Sequence, residues 1–265
     1  MTGPPAGPLL AGKVVLVTGV GPDLGRAIAV RSAEAGADLV LAARTASRLD
    51  DVAKEVTALG RRAVPVPADV TGEAAAARLA EAALAAFGRV DTVVHNAFAI
   101  PPLAPLAETG LDAIRAAFET NALAALRLTR LLTPALASSR GSVVMINSAV
   151  LRHSRVTFGG YKMAKSALLA LAQSLATELG PQGVRVNSVA PGWIWGSTLQ
   201  SYFGHLAKQR GVDRQQVYDE TAATTDLRRL PEPAQVADAV VFLASPMAAA
   251  ITGQCLDVNC GEFHQ

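Results

Sequence analysis

Tyr161 and Lys165 are the residues of this chain whose types and spacing most directly suggest chemistry. The stretch YKMAKSALLALAQSLATEL (161–179) predicts a helix, and residues four apart in a helix share a face. A tyrosine ordinarily has a pKa of about 10, and a cation held beside it favours the phenolate. The pair therefore predicts a tyrosine with a lowered pKa that acts as a general acid and base near neutral pH.

Two further polar residues belong with this pair. Ser148 ends the predicted strand GSVVMINS, thirteen residues before Tyr161, and Asn121 lies in a long predicted helical region. In order and spacing, Asn121, Ser148, Tyr161 and Lys165 resemble the short-chain dehydrogenase/reductase family. The resemblance covers nearly the whole chain, from about residue 13 to residue 261.

The resemblance implies an enzyme that moves a hydride between NAD(P)(H) and a carbonyl or secondary alcohol. It implies that Tyr161 is the general acid in reduction and that Ser148 binds the substrate oxygen. Lys165 would also bind the nicotinamide ribose, and Asn121 would anchor a water for proton relay. An enoyl reductase of the same fold is disfavoured, because those relatives space the tyrosine and lysine further apart.

The elements that must position these residues follow an alternating pattern of short β-branched runs and Ala/Leu-rich amphipathic stretches. We predict strands at 13–19, 38–44, 62–70, 90–97, 141–148, 184–191 and 254–258, and helices at about 24–36, 46–59, 72–87, 108–138, 161–179 and 233–245. This alternation predicts an α/β fold, a single-domain doubly wound parallel sheet (Rossmann-like) with helices on both faces.

Two segments stand apart from the alternating pattern. Residues 196–229 lack a strand, so we expect a helical insertion that serves as a substrate lid. Residues 1–12 are predicted to be a flexible lead-in, which leaves 13–265 as one dinucleotide-binding catalytic domain.

The expected cofactor site lies at the carboxyl ends of the strands, where ligands of such sheets bind. The Gly-rich turn TGVGPDLG (18–25) between a strand and a helix suits a pyrophosphate. The predicted cofactor-binding residues are Gly19, Gly21, Asp23, Leu24, Arg44, Asp69, Val70, Asn96, Ala97, Tyr161, Lys165, Pro191, Gly192 and Ile194.

The end of the second strand bears on the choice of cofactor. An NAD site usually places a carboxylate there, about 20 residues beyond the turn, to bind the ribose 2′-hydroxyl. This chain has Ala43 followed by Arg44. A cation without a carboxylate suits a 2′-phosphate, so NADP(H) is favoured over NAD(H), unless Arg44 is only a solvated residue at a helix start.

Several positions depart from the family pattern. Asp23 replaces a glycine of the turn; we expect it to cap the helix that begins at Leu24, and expect Asp23→Gly to tighten cofactor binding. Phe98 replaces a glycine after the fourth strand, and Gly196 replaces a threonine that usually meets the nicotinamide carboxamide. These departures leave open a catalytically silent dinucleotide-binding sensor or scaffold.

The predicted substrate pocket is rich in aromatic residues. Its expected members are Phe98, Val150, His153, Trp193, Trp195, Tyr202 and Phe203. Aromatic walls suit a bulky hydrophobic ketone, although the same residues would also pin the insertion to the domain. A 3-oxoacyl thioester on a carrier protein is an alternative that needs a basic patch; Arg127, Arg130, Arg152 and Arg155 are candidates but too scattered to decide.

Composition narrows the remaining classes. A net charge of +2 is too small for electrostatic capture of nucleic acid, and no apolar run reaches the roughly 18 residues of a membrane span. The high share of hydrophobic residues, 51%, indicates either an Ala-heavy core or faces buried between subunits. The resemblance implies a homotetramer. Cys255 and Cys260, without a second pair, predict reduced thiols, no metal site and a cytoplasmic setting.

Overall fold

The computed structural model describes residues 7–264. Seven parallel strands form one sheet in the order β3-β2-β1-β4-β5-β6-β7. The strands are β1 Val14–Thr18, β2 Asp38–Ala43, β3 Ala63–Pro67, β4 Thr92–His95, β5 Ser142–Ile146, β6 Arg185–Pro191 and β7 Cys255–Val258. The strand order reverses between β1 and β4, which places a crevice at their carboxyl ends.

Helices cover both faces of the sheet. They are α1 Leu24–Glu34, α2 Ala46–Ala58, α3 Glu73–Phe87, α4 Leu111–Phe118, α5 Ala124–Ser139, α6 Gly159–Leu179, α7 Ser197–Arg210, α8 Arg214–Ala222 and α9 Pro233–Ala244. Successive residues of β1 alternate between the faces: Val15 and Val17 pack under α1, α2 and α9, and Val14 and Leu16 under α3, α5 and α6. The predicted doubly wound, single-domain fold is confirmed.

Most predicted elements agree with the structure to within a few residues at each end, and two differ in a way that has a structural reason. The third strand is shorter than the predicted 62–70 and lies at the sheet edge, where Pro65 and Pro67, which have no N–H to donate, are tolerated. The predicted helix at about 108–138 is two α-helices, α4 and α5, joined by a π-helical turn over Glu119–Leu123. No Gly or Pro marks this turn in the sequence.

The lid segment, residues 196–229, contains α7 and α8 and has its own apolar cluster. Leu199, Phe203 and Val217 are buried in this cluster, separately from the two clusters beneath the sheet. The segment is helical as predicted. Because its cluster is separate from those beneath the sheet, the position of the segment depends on the contacts at its ends. Its role as a lid stays a prediction.

The predicted lead-in is only partly described. Residues 1–6 lie outside the described residues, so a flexible segment there stays a prediction. Leu10 is 1% exposed, and its backbone N–H donates to the Ala35 carbonyl at 2.7 Å, so residues near it pack on the domain. Across residues 7–264, the helices are all too short or too polar to span a bilayer.

Candidate active site

Ser148, Tyr161 and Lys165 come together where β5 meets α6. Ser148 follows β5 and begins a 3₁₀ turn, in which its Oγ accepts from the Val150 N–H at 3.2 Å. Tyr161 and Lys165 lie one turn apart in α6, and the Ser148 side chain interacts with the Tyr161 hydroxyl. Lys165 Nζ lies 5.7 Å from the centre of the Tyr161 ring and donates to the Ile146 carbonyl at 2.8 Å.

The protonation state of Tyr161 differs from the sequence prediction. Burial raises the pKa of Tyr161 to about 12, although the hydrogen bond with Ser148 opposes the shift. Burial also lowers the pKa of Lys165 to about 7. The predicted lowering of the Tyr161 pKa is therefore wrong for this structure, because loss of solvation outweighs the effect of Ser148. The surroundings favour the neutral phenol, which is the form that can donate a proton.

Asn121 lies in the π-helical turn, which packs against α6. Its Nδ2 donates to the Ala99 carbonyl at 2.7 Å and to the Ala117 carbonyl at 2.8 Å. Its Oδ1 is buried and has no hydrogen-bond partner among the described residues. A buried acceptor without a partner is costly and usually meets water or a ligand, so this oxygen marks a place for a polar group.

The Gly-rich turn after β1 approaches its neighbours so closely that side chains would not fit. Gly19 has a φ of +68°, and a Cβ there would lie 2.6 Å from the Ala97 backbone. A Cβ on Gly25 would lie 2.5 Å from the Gly19 carbonyl oxygen. Asn96 Nδ2 donates to that carbonyl at 2.7 Å, so Asn96 braces the turn.

A cleft of about 550 Å³ opens beside this turn. It brings together many of the predicted cofactor residues, namely Gly19, Gly21, Arg44, Asp69, Val70, Asn96 and Ala97, as well as Phe98 from the predicted substrate pocket. Asp23, Leu24, Tyr161, Lys165, Pro191, Gly192 and Ile194 do not line this cleft. An elongated ligand would have to extend beyond the cleft to reach Tyr161.

The far wall of the cleft carries two exposed cations. Arg44 follows β2, and Arg48, one helical turn later in α2, lines the same cleft. The sequence prediction missed Arg48, which lies in the first turn of the helix that follows Arg44. Asp69 accepts from the Thr71 N–H and Oγ at 3.0 and 2.7 Å, so it shapes its own loop, and these bonds hold its pKa low.

The residues present fit a dinucleotide. The turn leaves room for a backbone-held pyrophosphate at the start of α1, and two guanidinium groups lie at the end of the cleft nearest β2. Within residues 7–264, no group of three His, Cys, Asp or Glu side chains is arranged to hold a metal ion.

Asp23 does not do what its sequence position predicts. It makes no side-chain hydrogen bond to the start of α1, so the predicted cap of the helix beginning at Leu24 is wrong. Its carboxylate turns to α7 instead: Oδ1 accepts from the Ser197 N–H and Oγ at 2.8 and 2.9 Å, and Oδ2 from the Thr198 N–H and Oγ1 at 3.0 and 2.8 Å.

The predicted substrate residues divide into packing and exposed groups. Phe203 is 2% exposed and packs against Trp195, so these two residues pin the lid segment together. Tyr202 stacks on Trp193 with ring centres 6.4 Å apart and, like Phe98, remains exposed. The predicted aromatic pocket is thus in part the packing of the lid segment.

His153 lies against the C-terminal segment. The centre of its ring lies 5.9 Å from that of Phe158 and 5.2 Å from that of Phe263. Its Nδ1 is buried without a hydrogen-bond partner among the described residues. Val150, three residues before His153 in the chain, is also buried.

Glu262 is a residue of this region that the sequence prediction missed. It is 5% exposed, pairs with Arg155 at 3.5 Å and is hydrogen-bonded to the Trp193 side chain. Burial raises the pKa of its carboxyl group. Sequence spacing gave no signal for Glu262, because its partners lie far away along the chain.

Comparison with known proteins agrees with this geometry. Residues 19–262 match a family model described as Enoyl-(Acyl carrier protein) reductase. An uncharacterized oxidoreductase of Mycobacterium tuberculosis is 39% identical over 94% of this chain and 91% of its own length. The chain belongs to the short-chain dehydrogenase/reductase family, and it is an oxidoreductase of that family.

Two solved structures of this family show what its members bind. L-sorbose reductase from Gluconobacter frateurii, complexed with NADPH and L-sorbose, has a TM-score of 0.92 and 28% identity, covering 97% of this chain and 98% of that one. A 7α-hydroxysteroid dehydrogenase complexed with NADH and 7-oxo glycochenodeoxycholic acid has a TM-score of 0.86 and 30% identity, covering 97% and 96%. Both nicotinamide dinucleotides, and both polar and bulky apolar substrates, therefore occur among similar folds.

Proposed function

We propose that this oxidoreductase transfers a hydride between NADP(H) and a carbonyl or secondary alcohol, with Tyr161 as the general acid and base. The observation that carries the proposal is that the Ser148 side chain interacts with the Tyr161 hydroxyl while Lys165 Nζ lies 5.7 Å from the centre of the Tyr161 ring. A phenol held neutral by burial and paired with a hydroxyl suits proton donation to a carbonyl oxygen.

The residues divide the work of reduction. A dinucleotide held in the cleft would supply the hydride for the carbonyl carbon. Ser148 Oγ hydrogen-bonds the carbonyl oxygen, and Tyr161 Oη gives it a proton as negative charge develops, which leaves an alcohol and a phenolate. Lys165 stabilises the phenolate, and a water held by Asn121 Oδ1 returns a proton from solvent. Oxidation runs through the same steps in reverse.

NADP(H) is proposed over NAD(H) on the charge of the cleft. Arg44 and Arg48 both line it. Two guanidinium groups one turn apart suit a phosphate, since arginine binds phosphate through several charge-assisted hydrogen bonds. Asp69 lines the same cleft, and Thr71 holds only its Oδ1, so the proposal rests on the two arginines outnumbering this one carboxylate.

The substrate is proposed to be a hydrophobic ketone or the matching alcohol. The exposed rings of Phe98 and Tyr202 and the stacked Trp193 support an apolar wall. The similar 7α-hydroxysteroid dehydrogenase, with its bound bile acid, is in keeping with this class. A sugar-like substrate, as in the L-sorbose reductase, is the second candidate, and buried Glu262 beside Trp193 favours it as a hydroxyl acceptor.

A carrier-bound thioester reductase and a silent sensor have less support. A carrier-bound 3-oxoacyl thioester needs several unpaired basic residues, but of the four candidates Arg127, Arg152 and Arg155 pair with Glu119, Asp257 and Glu262, which leaves only the exposed Arg130. The case for a silent sensor rests partly on the charge of Asp23. That carboxylate accepts hydrogen bonds from the start of α7, which weakens this case.

We also propose that the chain forms a homotetramer in the cytoplasm. Helices α4 to α6 and the turn between α4 and α5 expose Leu111, Leu123, Leu131 and Met163, which suits burial against another subunit. Light scattering tests the assembly, and a monomer at micromolar concentration would remove the claim.

The proposed activity is tested by following NADPH and NADH oxidation with a panel of steroid, aryl, aliphatic, sugar and 3-oxoacyl ketones and an enoyl thioester. We expect turnover with a ketone and a preference for NADPH. Turnover of the enoyl thioester alone, or tight dinucleotide binding without any turnover, would contradict the proposal.

A further inference from the structure

The start of helix α7 has a cap that comes from a distant part of the chain. The residue before the helix, Gly196, has no side-chain oxygen to accept the first N–H groups, which a helix leaves unsatisfied. Asp23 supplies both acceptors, one carboxylate oxygen for Ser197 and the other for Thr198. A negative charge at this end also interacts favourably with the helix dipole.

The absence of a side chain at Gly196 leaves room for this cap. Gly196 has a φ of −103°, a conformation that any residue adopts, so glycine is not needed there for its backbone. It is needed for space, since a Cβ at position 196 would lie 2.6 Å from the Asp23 carboxyl carbon. Asp23 and Gly196 therefore form one arrangement, in which the small residue admits the carboxylate.

The cap joins two functional parts of the proposed enzyme. Asp23 belongs to the turn beside the cofactor cleft, and α7 carries Tyr202 and Phe203 of the lid segment. The apolar cluster of the lid segment also includes Trp195 and Leu230 from the chain on either side of it, and polar contacts at the two ends of the segment add to this packing. At its other end, the Asp226 and Leu227 N–H groups donate to the Gly261 and Cys260 carbonyls.

We propose that Asp23 is a positioning residue that holds the substrate lid against the cofactor turn through Ser197 and Thr198, so that the lid is ordered before the dinucleotide binds. The inference rests on the proposed function only for the use of the lid in substrate binding. Although partial burial acts to raise it, hydrogen bonds from Thr198 and Ser197 hold the pKa of Asp23 below its usual value. The carboxylate is therefore charged throughout the neutral range and the cap persists there.

The proposal predicts how each variant of Asp23 behaves. Asp23→Ala leaves the N–H and hydroxyl groups of both partners without the acceptor and frees the start of α7. Asp23→Asn keeps the shape and one oxygen but loses the charge and the second acceptor, so its lid should be intermediate. Asp112→Ala is a matched control, because that carboxylate is 96% exposed and lies on α4, outside the lid.

The test is hydrogen–deuterium exchange of peptides spanning residues 197–210, with and without NADPH, in the intact enzyme and these three variants. We expect the unmodified enzyme and the control to show slow exchange that NADPH changes by less than about twofold, and Asp23→Ala to exchange about tenfold faster without NADPH. Exchange in Asp23→Ala equal to that of the unmodified enzyme overturns the proposal. So does strong protection of the unmodified lid by NADPH, which would mean that the dinucleotide orders it.

A kinetic readout separates lid positioning from a general loss of structure. Asp23→Ala should raise the KM for the carbonyl about tenfold while kcat changes by less than about threefold, and Asp23→Asn should recover part of the KM. A fall in kcat at constant KM contradicts the proposal. Hydrogen–deuterium exchange is measured without turnover, so its result on the lid stands even if no carbonyl in the panel is reduced. Failure of the lid proposal can therefore be distinguished from failure of the proposed activity.

Discussion

The Asp23 carboxyl carbon lies 2.6 Å from the position that a Cβ on residue 196 would occupy, so Asp23 and Gly196 depend on each other. Each departs from the family pattern that the chain otherwise resembles, and taken singly each is unexplained by sequence. In this chain the Asp23 carboxylate occupies the space that a side chain on residue 196 would need. The two substitutions are therefore one structural feature.

This dependence predicts non-additive stability. Gly196→Ala should destabilise the enzyme by about 1–2 kcal/mol, because the new methyl group displaces the Asp23 carboxylate from Ser197 and Thr198. In an Asp23→Gly background the same change should cost little. Chemical denaturation of the two single variants and the double variant gives the coupling free energy, expected at about 1 kcal/mol or more. Strictly additive changes would show that the two positions are independent.

A second prediction concerns cofactor binding by Asp23→Gly. Removing a negative charge beside the expected pyrophosphate site should tighten NADPH binding, while loss of the α7 cap should raise the KM for the carbonyl. Isothermal titration gives the first quantity and steady-state kinetics the second. Unchanged or weaker NADPH binding would contradict a repulsion between the Asp23 carboxylate and the pyrophosphate.

Arg44 and Arg48 should decide the cofactor preference. Arg44→Ala and Arg48→Ala should each lower kcat/KM for NADPH about tenfold, because each removes charge-assisted hydrogen bonds to a phosphate, and should leave NADH nearly unaffected. Lys54→Ala is the control, since this lysine is 77% exposed on the same helix α2 but does not line the cleft. Equal losses with both cofactors would show that the arginines do not read the 2′-phosphate.

Because His95 is buried, we expect the free energy of unfolding of the enzyme to fall in mild acid. The side chain is 6% exposed, is hydrogen-bonded to Thr129 at 2.8 Å, and burial lowers its pKa from 6.5 to about 4. Between pH 6.5 and 4, His95 is protonated in the unfolded chain but stays neutral in the folded chain. The free energy of unfolding therefore falls by up to about 3 kcal/mol as the pH drops through this range.

The matched variant for this prediction is His95→Gln, which keeps a hydrogen-bonding group but does not titrate there. Urea denaturation at several pH values compares the two proteins. The stability of the unmodified enzyme should fall more steeply below pH 6.5 than that of the variant. Parallel curves would assign the acid sensitivity to other groups.

The sequence predicted those parts of the site that depend on local spacing. Tyr161 and Lys165 share a helix face because four residues make about one turn, and the Gly-rich turn follows from its place between a strand and a helix. The alternation of strands and helices was likewise enough to predict the parallel sheet.

The sequence did not predict features that arise from tertiary contacts. The partners of Asp23 lie 174 and 175 residues away, and helix-capping rules directed it to its own helix instead. The pKa of Tyr161 depends on how deeply the ring is buried, which spacing does not reveal. The π-helical turn at Asn121 has no Gly or Pro to announce it, so the region was predicted as one helix.

The central claim, that Tyr161 is the general acid and base, is tested most directly by its Tyr161→Phe variant. This change removes the hydroxyl that hydrogen-bonds with Ser148 and leaves the ring, and Tyr218→Phe removes a hydroxyl within the lid segment as the control. The measurement is the rate of NADPH oxidation with the best ketone of the panel, after circular dichroism shows that both variants are folded. We predict a kcat about 10²- to 10⁴-fold lower for Tyr161→Phe and nearly unchanged for Tyr218→Phe. A Tyr161→Phe variant that keeps its kcat would contradict this role for Tyr161.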